Sequence, residues 1–320
     1  MNKKILITGA TGFVGNHLIE HLILDGNDNI LGTYYEEQSL LSLGENKNKI
    51  QPVKADLRNP DEVSGLISKI KPDYIYHLAA FTSPSESFDS PNETVINNIS
   101  CEINLLEEVK NNDLKDTKIL IISSAEVYGL VSKEDLPIDE NVQFNPTNPY
   151  AVSKLAQDFL GRQYFLAHDL KIIRVRPFNH IGPGQSPNFV VSSFAKKIAE
   201  IEKGKREPVL PTGNLNTKRD FTDVRDTVKA YTLLIEKGID GEVYNVGSGI
   251  SFKISEILNM LLSYSKSDIK IESDKSLLRP IDNPDLVCNY SKLSDLTGWK
   301  PTIKIEQTLK DTLDYWRNII

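Results

Sequence analysis

The chain has 320 residues, of which 39% are hydrophobic and 25% are charged, and its formal net charge is -7. This composition is ordinary for a soluble globular protein and argues against the disordered and membrane classes, and the length predicts two packed regions rather than one core. The negative charge argues against a protein that neutralises a nucleic-acid backbone, so we expect no nucleic-acid partner.

The first residues, MNKKILITG, pass from two lysines directly into a short apolar segment and lack the long apolar region of a signal peptide. Other apolar runs have strand length, far below the roughly 20 residues of a membrane-spanning helix. Cys101 and Cys288 lie far apart and do not have the spacing of a metal site or disulfide framework. We therefore expect a cytoplasmic protein with no membrane partner and no metal.

Short β-branched segments alternate with helical patterns through the first half of the chain. The sequence predicts strands near residues 3–9, 29–35, 50–55, 73–80, 118–124 and 170–178, with helices at 15–25, 60–70, 91–112 and 149–167. This alternation is typical of parallel βαβ units. It predicts an α/β fold with a doubly wound parallel Rossmann sheet.

After Phe178 the composition changes to segments rich in glycine, proline and asparagine. Helices are predicted between them at residues 189–203, 224–237 and 254–265. These features predict a smaller α/β C-terminal substrate domain. The strand-like segment GEVYNVGSG follows the helix at 224–237 and is a candidate for a return to the main sheet.

A glycine motif, GATGFVG, lies between the first predicted strand and the first predicted helix. Its glycines, Gly9, Gly12 and Gly15, would let the backbone turn tightly and approach a pyrophosphate, whose charge a helix N-terminus stabilises. Phe13 and Val14, which lie between Gly12 and Gly15, are also predicted to contact the cofactor. The motif therefore predicts a binding site for NAD(H) or NADP(H).

The end of the second predicted strand, GTYYEE, bears on the choice between these cofactors. An acid there accepts from the ribose 2′-hydroxyl of NAD, whereas an arginine meets the 2′-phosphate of NADP. Glu36 follows the strand and no arginine is near it in the sequence, which slightly favours NAD(H). A solvated loop charge explains Glu36 equally well, so both cofactors stay open.

Two further strand ends carry candidate cofactor contacts. Asp56 and Leu57 follow the third strand, where a carboxylate could hold the adenine amino group, although a cap or turn before the next helix is an equal alternative. Leu78, Ala79 and Ala80 end the fourth strand. Small residues there would let the backbone approach the cofactor's ribose and phosphate.

Tyr150 and Lys154 are four residues apart in a predicted helix, so their side chains would share one helical face. A phenol has a pKa of about 10 and needs nearby positive charge to act in proton transfer at neutral pH. Lys154 and an oxidised nicotinamide would supply that charge. Ser124 ends the fifth strand at the ligand-binding edge of the sheet, where its hydroxyl could bind a reacting carbonyl.

The glycine motif, Ser124 and Tyr150-x-x-x-Lys154 together resemble the extended short-chain dehydrogenase/reductases over essentially the whole chain. The resemblance implies hydride transfer between nicotinamide and a sugar carbon. It implies that Tyr150 is the acid/base, that Lys154 holds the ribose and tunes the tyrosine, and that Ser124 polarises the oxygen. It also implies a homodimer formed through the helices predicted at 91–112 and 149–167.

The second half of the chain is similar to the GDP-4-keto-6-deoxy-D-mannose reductases, in segments such as FNHIGPGQ and LLRPIDNP. The similarity implies reduction of the 4-keto group of a GDP-linked 6-deoxy sugar by NAD(P)H. Asn179 would then contact the sugar diphosphate, and Asp282 would accept from a ribose hydroxyl unless it is a turn residue. Arg219 and Arg279 would bind the pyrophosphate, unless Arg219 forms a surface salt bridge.

Glu126 leaves the chemistry open, because Ser124-Ala125-Glu126 also resembles the GDP-mannose 4,6-dehydratases, whose glutamate removes the proton at C5. A nucleotide-sugar 4-epimerase is a third hypothesis. A non-enzymatic dinucleotide sensor is disfavoured because Tyr150 and Lys154 are both present. The FNHIGPGQ segment favours the reductase.

Two domains are expected on these grounds. Residues 1–178 and about 220–248 would form the dinucleotide-binding domain, and about 179–219 with 249–320 would form the nucleotide-sugar-binding domain.

Overall fold

The computed structural model describes residues 3–278, 281 and 283–320. Its strands are β1 (Ile5–Thr8), β2 (Ile30–Tyr34), β3 (Gln51–Lys54), β4 (Tyr74–His77), β5 (Lys118–Ile122), β6 (Lys171–Pro177), β7 (Asn179–Ile181), β8 (Val209–Thr212), β9 (Lys218–Asp223), β10 (Val243–Val246), β11 (Ser251–Lys253), β12 (Lys270–Ser273) and β13 (Asp285–Leu286). Its helices are α1 (Phe13–Leu24), α2 (Pro60–Ile70), α3 (Glu86–Asp89), α4 (Pro91–Asn111), α5 (Pro149–His168), α6 (Val190–Glu202), α7 (Val224–Lys237), α8 (Ile254–Ser263), α9 (Ser291–Thr297) and α10 (Ile305–Ile319).

Seven strands form one parallel sheet in the order β3-β2-β1-β4-β5-β6-β10. The strand order reverses between β1 and β4, which is the doubly wound arrangement of a Rossmann fold. The predicted fold class is confirmed. The GEVYNVGSG segment returns to the main sheet as β10, which pairs with β6.

Apolar side chains fill both faces of the main sheet. Ile5 and Ile7 of β1 pack with α1 and α7 in one core, whereas Leu6 packs with α2, α4 and α5 in the core on the other face. Successive side chains of a strand point to opposite faces, so a strand that is apolar throughout indicates helices on both sides. The uninterrupted apolar run ILI therefore specifies a buried central strand.

Two helix starts position the site. Helix α1 begins at Phe13 rather than near Gly15, because Gly12 takes the N-cap position with an extended backbone. Helix α5 begins at Pro149, and the side chain of its N-cap, Asn148, accepts from the N–H of Ala151. Proline suits the first helical position, since an N–H there would have no partner in the helix. This start places the residue after Pro149 in the first turn of α5.

The smaller part of the structure is built around β9, which pairs with β7 and β13 in parallel and with β11 in antiparallel. Helices α6, α8 and α10 surround a separate core that contains Phe194, Leu258 and Trp316. From β9 the chain continues into α7, which packs on α1 and on the main sheet. The two parts therefore interleave along the chain.

Within the described residues, no helix has the length and apolar character needed to cross a membrane. The same residues hold no group of three or more histidine, cysteine, aspartate or glutamate side chains placed to bind a metal ion.

Candidate active site

A cleft of about 1170 Å³ crosses the carboxyl ends of the main-sheet strands. Its walls come from the glycine motif, from the segments that follow β2, β3, β4 and β5, from the first turns of α5, and from α6 and β9 of the smaller part. A pocket for one small ligand has a volume of roughly 300–1,000 Å³. The cleft therefore has room for two ligands, and it includes the reversal point between β1 and β4, where such folds bind nucleotides.

The glycine motif forms a backbone cradle at one end of the cleft. Gly9 has a φ of +68°, and a Cβ there would lie 2.9 Å from the Cα of Ala79. A Cβ on Gly15 would lie 2.5 Å from the carbonyl oxygen of Ala10, so only glycine lets α1 pack this closely against the loop. The close approach of loop, strand and helix explains why the motif needs glycine at these positions.

The N-terminus of α1 suits a pyrophosphate. Gly12 offers no side-chain cap, and the first turn of the helix contains no acidic residue. The N–H groups of the first turn have no partner within a helix, and the helix dipole places partial positive charge there. Phe13, Val14 and Gly15 line the cleft at this point, so the predicted cofactor residues fit a dinucleotide phosphate.

The segment after β4 is held beside this cradle by Thr8. The Thr8 hydroxyl accepts from the N–H groups of Leu78 and Ala79 at 3.1 and 3.2 Å and lies 2.9 Å from Nδ1 of His77. A hydroxyl that already accepts twice donates its own proton, so His77 Nδ1 is the acceptor and the imidazole is neutral. Burial agrees with this, because it lowers the pKa of His77 to about 3. Ala80 lines the cleft just beyond.

Asp56 and Leu57 line the cleft after β3, as the sequence predicts for adenine contacts. The cap of α2 is Asn59, so Asp56 does not cap that helix. The turn that was the other alternative is present, because Asp56 Oδ1 accepts from the backbone N–H of Arg58 at 3.0 Å. Both Asp56 oxygens also accept from the side chain of Arg58, at 2.8 and 2.9 Å, and the pKa of the carboxyl is lowered mainly by that pairing.

The structure brings an arginine to the end of β2, where the sequence shows none. Arg58 Cζ lies 5.0 Å from the centroid of the Tyr35 ring, and Nη2 donates to the Tyr35 hydroxyl at 2.9 Å. Glu36 is exposed and also lines the cleft. The expectation that no arginine is nearby holds along the chain but is wrong in space, because β2 and β3 are neighbouring parallel strands.

Ser124, Tyr150 and Lys154 come together at the centre of the cleft. Burial raises the pKa of Tyr150 to about 12, and a hydrogen bond with Ser124 partly offsets this. Lys154 is 3% exposed, its Nζ donates to the carbonyl of Ile122 at 2.8 Å, and burial lowers its pKa to about 8. At neutral pH the phenol of Tyr150 is thus protonated and the amine of Lys154 is cationic, and a protonated phenol can give its proton to a carbonyl oxygen.

Glu126 lines the cleft together with Ser124 and Tyr150. Its Oε2 accepts from the side-chain amide of Asn148 at 3.1 Å, which ties it to the start of α5, and its charge contributes to the raised pKa of Tyr150. Its own N–H donates to the Ser124 hydroxyl at 3.2 Å. A carboxylate in this position can act as a base on a sugar or can hold a sugar hydroxyl, so its geometry fits both hypotheses.

Glu102 on α4 is a buried charged group that sequence reasoning missed. Its side chain is fully buried, burial raises the pKa of its carboxyl well above the usual value, and its charge raises the pKa of Lys154 against the lowering by burial. The signal was present in the sequence, because Glu102 lies on the otherwise buried face of α4 that carries Asn98, Leu105 and Val109.

The substrate side of the cleft contains two of the predicted residues. Asn179, at the start of β7, and Arg219, on β9, both line it. Arg219 is 6% exposed and donates from Nη1 to the carbonyls of Lys218 and Asn283, both at 2.7 Å. It is therefore anchored within the fold and is not an exposed surface charge.

The remaining predicted substrate contacts, Arg279 and Asp282, lie outside the described residues.

Lys197 on α6 also lines the cleft and was not predicted, since it follows another lysine in an ordinary amphipathic helix. Burial is the main cause of its lowered pKa. The cleft therefore offers Lys197 and Arg219 as cations on its substrate side.

Comparison with known proteins identifies the relatives of this chain. The sequence matches the profile of the GDP-mannose 4,6 dehydratase family over residues 6–312. It is 36% identical to the GDP-6-deoxy-D-mannose reductase of Pseudomonas aeruginosa, over 99% of this chain and 98% of the relative. It is 31% identical to the GDP-6-deoxy-D-talose 4-dehydrogenase of Aggregatibacter actinomycetemcomitans, over 92% of this chain and 91% of the relative.

A solved structure of RMD from Pseudomonas aeruginosa in complex with NADPH superposes with a TM-score of 0.86 at 34% identity, covering 99% of this chain and 100% of that one. The similarities thus extend over nearly the full length of both proteins. They confirm the predicted relation to the nucleotide-sugar reductases and dehydratases and the prediction of an NAD(P)-dependent enzyme. The chain belongs to the GDP-mannose 4,6-dehydratase family.

Proposed function

We propose that the protein reduces the 4-keto group of a GDP-4-keto-6-deoxy-mannose-type sugar with NAD(P)H and forms a GDP-6-deoxyhexose of the rhamnose type. The observation that carries the proposal is the meeting of Ser124, Tyr150 and Lys154 beside the glycine cradle, in a chain 36% identical over its length to a GDP-6-deoxy-D-mannose reductase. A nicotinamide dinucleotide, when bound in the cradle, supplies the hydride.

Each member of the triad has a defined task. The Ser124 hydroxyl holds the carbonyl oxygen of the sugar, and Tyr150 gives its phenolic proton to that oxygen as C4 becomes tetrahedral. The phenolate left on Tyr150 lies beside the Lys154 ammonium, whose charge lowers the free-energy cost of that anion. Solvent then restores the phenol proton.

The binding roles divide along the chain. We assign dinucleotide binding to residues 1–178 with about 220–248, and nucleotide-sugar binding to about 179–219 with 249–320. Lys197 and Arg219 would bind the diphosphate of the sugar nucleotide. The sequence slightly favours NAD(H) because Glu36 follows β2. In the fold, however, the guanidinium of Arg58 lies against Tyr35 at the same strand end, and an arginine there favours the 2′-phosphate of NADP(H).

The test follows nicotinamide absorbance after GDP-4-keto-6-deoxymannose is added to purified protein with NADH or NADPH. Stoichiometric oxidation with formation of a GDP-6-deoxyhexose, identified by mass, is the expected result. A parallel reaction contains GDP-mannose and an oxidised cofactor in catalytic amount. Loss of water from GDP-mannose without net cofactor consumption would overturn the reductase in favour of a 4,6-dehydratase, and isomerisation at C4 would indicate an epimerase.

The variant Glu126→Gln separates the reductase from the dehydratase. Glutamine keeps an oxygen that can accept from Asn148, but it cannot remove a proton at C5. We expect ketone reduction by this variant to stay within about tenfold of the wild-type rate, because a lost general base costs about 10²–10⁴-fold only in a reaction that uses it. A loss of 100-fold or more in the same assay would show that Glu126 takes part in the chemistry.

We also propose a homodimer formed through α4 and α5. Helix α5 exposes Val152, Phe159 and Leu166, seven residues apart on one face, with exposed fractions of 48%, 46% and 67%, and α4 exposes Ile96. An apolar stripe of this kind on adjacent helices fits a second copy of the same surface in a four-helix arrangement.

Leu166→Glu is expected to convert the dimer into a monomer, because a carboxylate buried without a partner in an apolar interface is costly. Light scattering coupled to size-exclusion chromatography measures the mass. The matched control is Leu24→Glu, since Leu24 is 84% exposed at the end of α1 and lies away from this stripe. Equal masses for both variants would contradict the assignment of the interface.

A further inference from the structure

We infer that the hydroxyl of Tyr231, at the floor of the cleft, donates to the carboxamide of a bound nicotinamide and so orients that ring beside Tyr150. The inference rests on the proposed use of a nicotinamide dinucleotide but not on the identity of the sugar. It assigns a cofactor contact to α7, which carries neither the glycine motif nor a member of the triad.

The Tyr231 hydroxyl is a buried donor without a partner. Among the described residues that line the cleft, two buried side-chain polar atoms make no hydrogen bond, and these are the Tyr231 hydroxyl and Oε1 of Gln185. The Gln185 amide is still held, because its Nε2 donates to the carbonyl of His180 at 2.9 Å. Tyr231 has no second polar atom in its side chain and is 0% exposed, so bulk water does not reach it. A buried hydroxyl left unpaired costs free energy, and a ligand that accepts from it removes this cost.

The course of α7 directs this side chain to the cleft. The helix begins at Val224 beside the glycine cradle, since a Cβ on Gly182 would lie 2.8 Å from Val224 Cγ1 and 3.8 Å from Cζ of Phe13. From there α7 packs on β5 and β6. Side chains of a helix lean toward its N-terminus, so the ring of Tyr231 leans toward the cradle. Burial is the main cause of the raised pKa of Tyr231, and the charge of Tyr150 adds to it, so the two phenols lie within electrostatic reach of each other.

Two other hydroxyls at this edge of the sheet are already engaged. The Ser123 hydroxyl donates to the carbonyl of Lys154 at 3.1 Å. The Thr8 hydroxyl is used by His77 and by the segment after β4. Both hydroxyls hold parts of the protein together, whereas that of Tyr231 bonds to nothing within the part of the chain that the structure describes.

The nicotinamide has to cover this floor of the cleft. On the proposed function, the cradle takes the dinucleotide phosphates, and the hydride reaches a sugar carbon whose oxygen is held by Ser124 and Tyr150. Ile122, at the end of β5, lines the cleft, and the core beneath Ile122 and Phe13 contains Tyr231. The carboxamide is the hydrogen-bonding substituent of the nicotinamide ring, and its carbonyl oxygen accepts. A phenol that donates to this oxygen would hold the ring in one orientation for hydride transfer.

Isothermal titration calorimetry with Tyr231→Phe, in the absence of sugar, tests the inference. The probes are NADP⁺ and NAD⁺, each paired with the compound that lacks nicotinamide, 2′-phospho-ADP-ribose or ADP-ribose. We expect the variant to bind both dinucleotides about 5–20-fold more weakly than the wild type, because the carboxamide oxygen loses its donor in a buried place. Binding of the two compounds without nicotinamide should change by less than about twofold. The melting temperature of the ligand-free variant should be unchanged or raised, since an unpaired buried hydroxyl has been removed.

The matched control is Tyr244→Phe. Tyr244 packs in the same core as Tyr231 and does not line the cleft, and its hydroxyl accepts from the N–H of Ile239 at 3.2 Å. This variant should have a lower melting temperature and unchanged cofactor affinity. Equal losses in Tyr231→Phe for the dinucleotides and for the compounds without nicotinamide, or a lower melting temperature with unchanged affinity, would overturn the inference and leave Tyr231 a residue of the core. Since no sugar is present, failure of the proposed reductase activity would not alter these results and is distinguished from failure here.

Discussion

Tyr150→Phe is expected to lower kcat for ketone reduction by about 10³-fold, within the range that a positioned proton donor contributes. The variant keeps the aromatic ring in its buried place and removes only the hydroxyl that reaches Ser124. The sugar oxygen would then have to take its proton from water rather than from a positioned donor. Loss of one hydrogen bond costs about 1 kcal/mol, so the fold should persist in circular dichroism.

The control for this variant is Tyr128→Phe. Tyr128 is also fully buried, and its hydroxyl donates to Asn245 at 2.7 Å and accepts from Arg176 at 3.0 Å, but it does not line the cleft. Removing its hydroxyl should lower the melting temperature and leave kcat nearly unchanged. If Tyr150→Phe instead kept activity within tenfold of the wild type, the assignment of Tyr150 as proton donor would be wrong.

The second large effect is a pH dependence set by Lys154. Burial lowers the pKa of its amine to about 8, so the ammonium that stabilises the Tyr150 phenolate is present below that pH and is lost above it. Burial raises the pKa of Tyr150 to about 12. The phenol therefore stays protonated on both sides of pH 8, and its titration adds no second change of slope to the pH–rate curve there. We therefore expect kcat for reduction to be level below about pH 8 and to fall toward tenfold per pH unit above it.

Glu102→Gln tests this assignment. The Glu102 carboxylate raises the pKa of Lys154, so its removal should move the midpoint of the pH–rate curve to lower pH. The control is Glu107→Gln on the same helix, because Glu107 pairs with Lys110 and Tyr164 away from the cleft and should leave the midpoint in place. A curve without a break near pH 8, or one that Glu102→Gln does not move, would remove Lys154 as the controlling group.

The main sheet was predictable because its strands are local apolar runs and its helices have clear starts. The run ILI before the glycine motif, Asn148-Pro149 before α5, and Gly15, where a Cβ would collide with the carbonyl oxygen of Ala10, are decided by neighbours in sequence. The same is true of Tyr150 and Lys154, since helical spacing alone places them on one face. These features needed no knowledge of the rest of the fold.

What the sequence by itself determined is therefore the α/β class and the places of the candidate cofactor cradle and of Ser124, Tyr150 and Lys154 at one edge of the sheet. Only the tertiary structure decided that Arg58 reaches Tyr35 and that Glu102 faces Lys154, because these pairs come from different elements, 23 and 52 residues apart, and meet through strand order and helix packing. Their electrostatic effects depend on burial and distance, which no local pattern encodes.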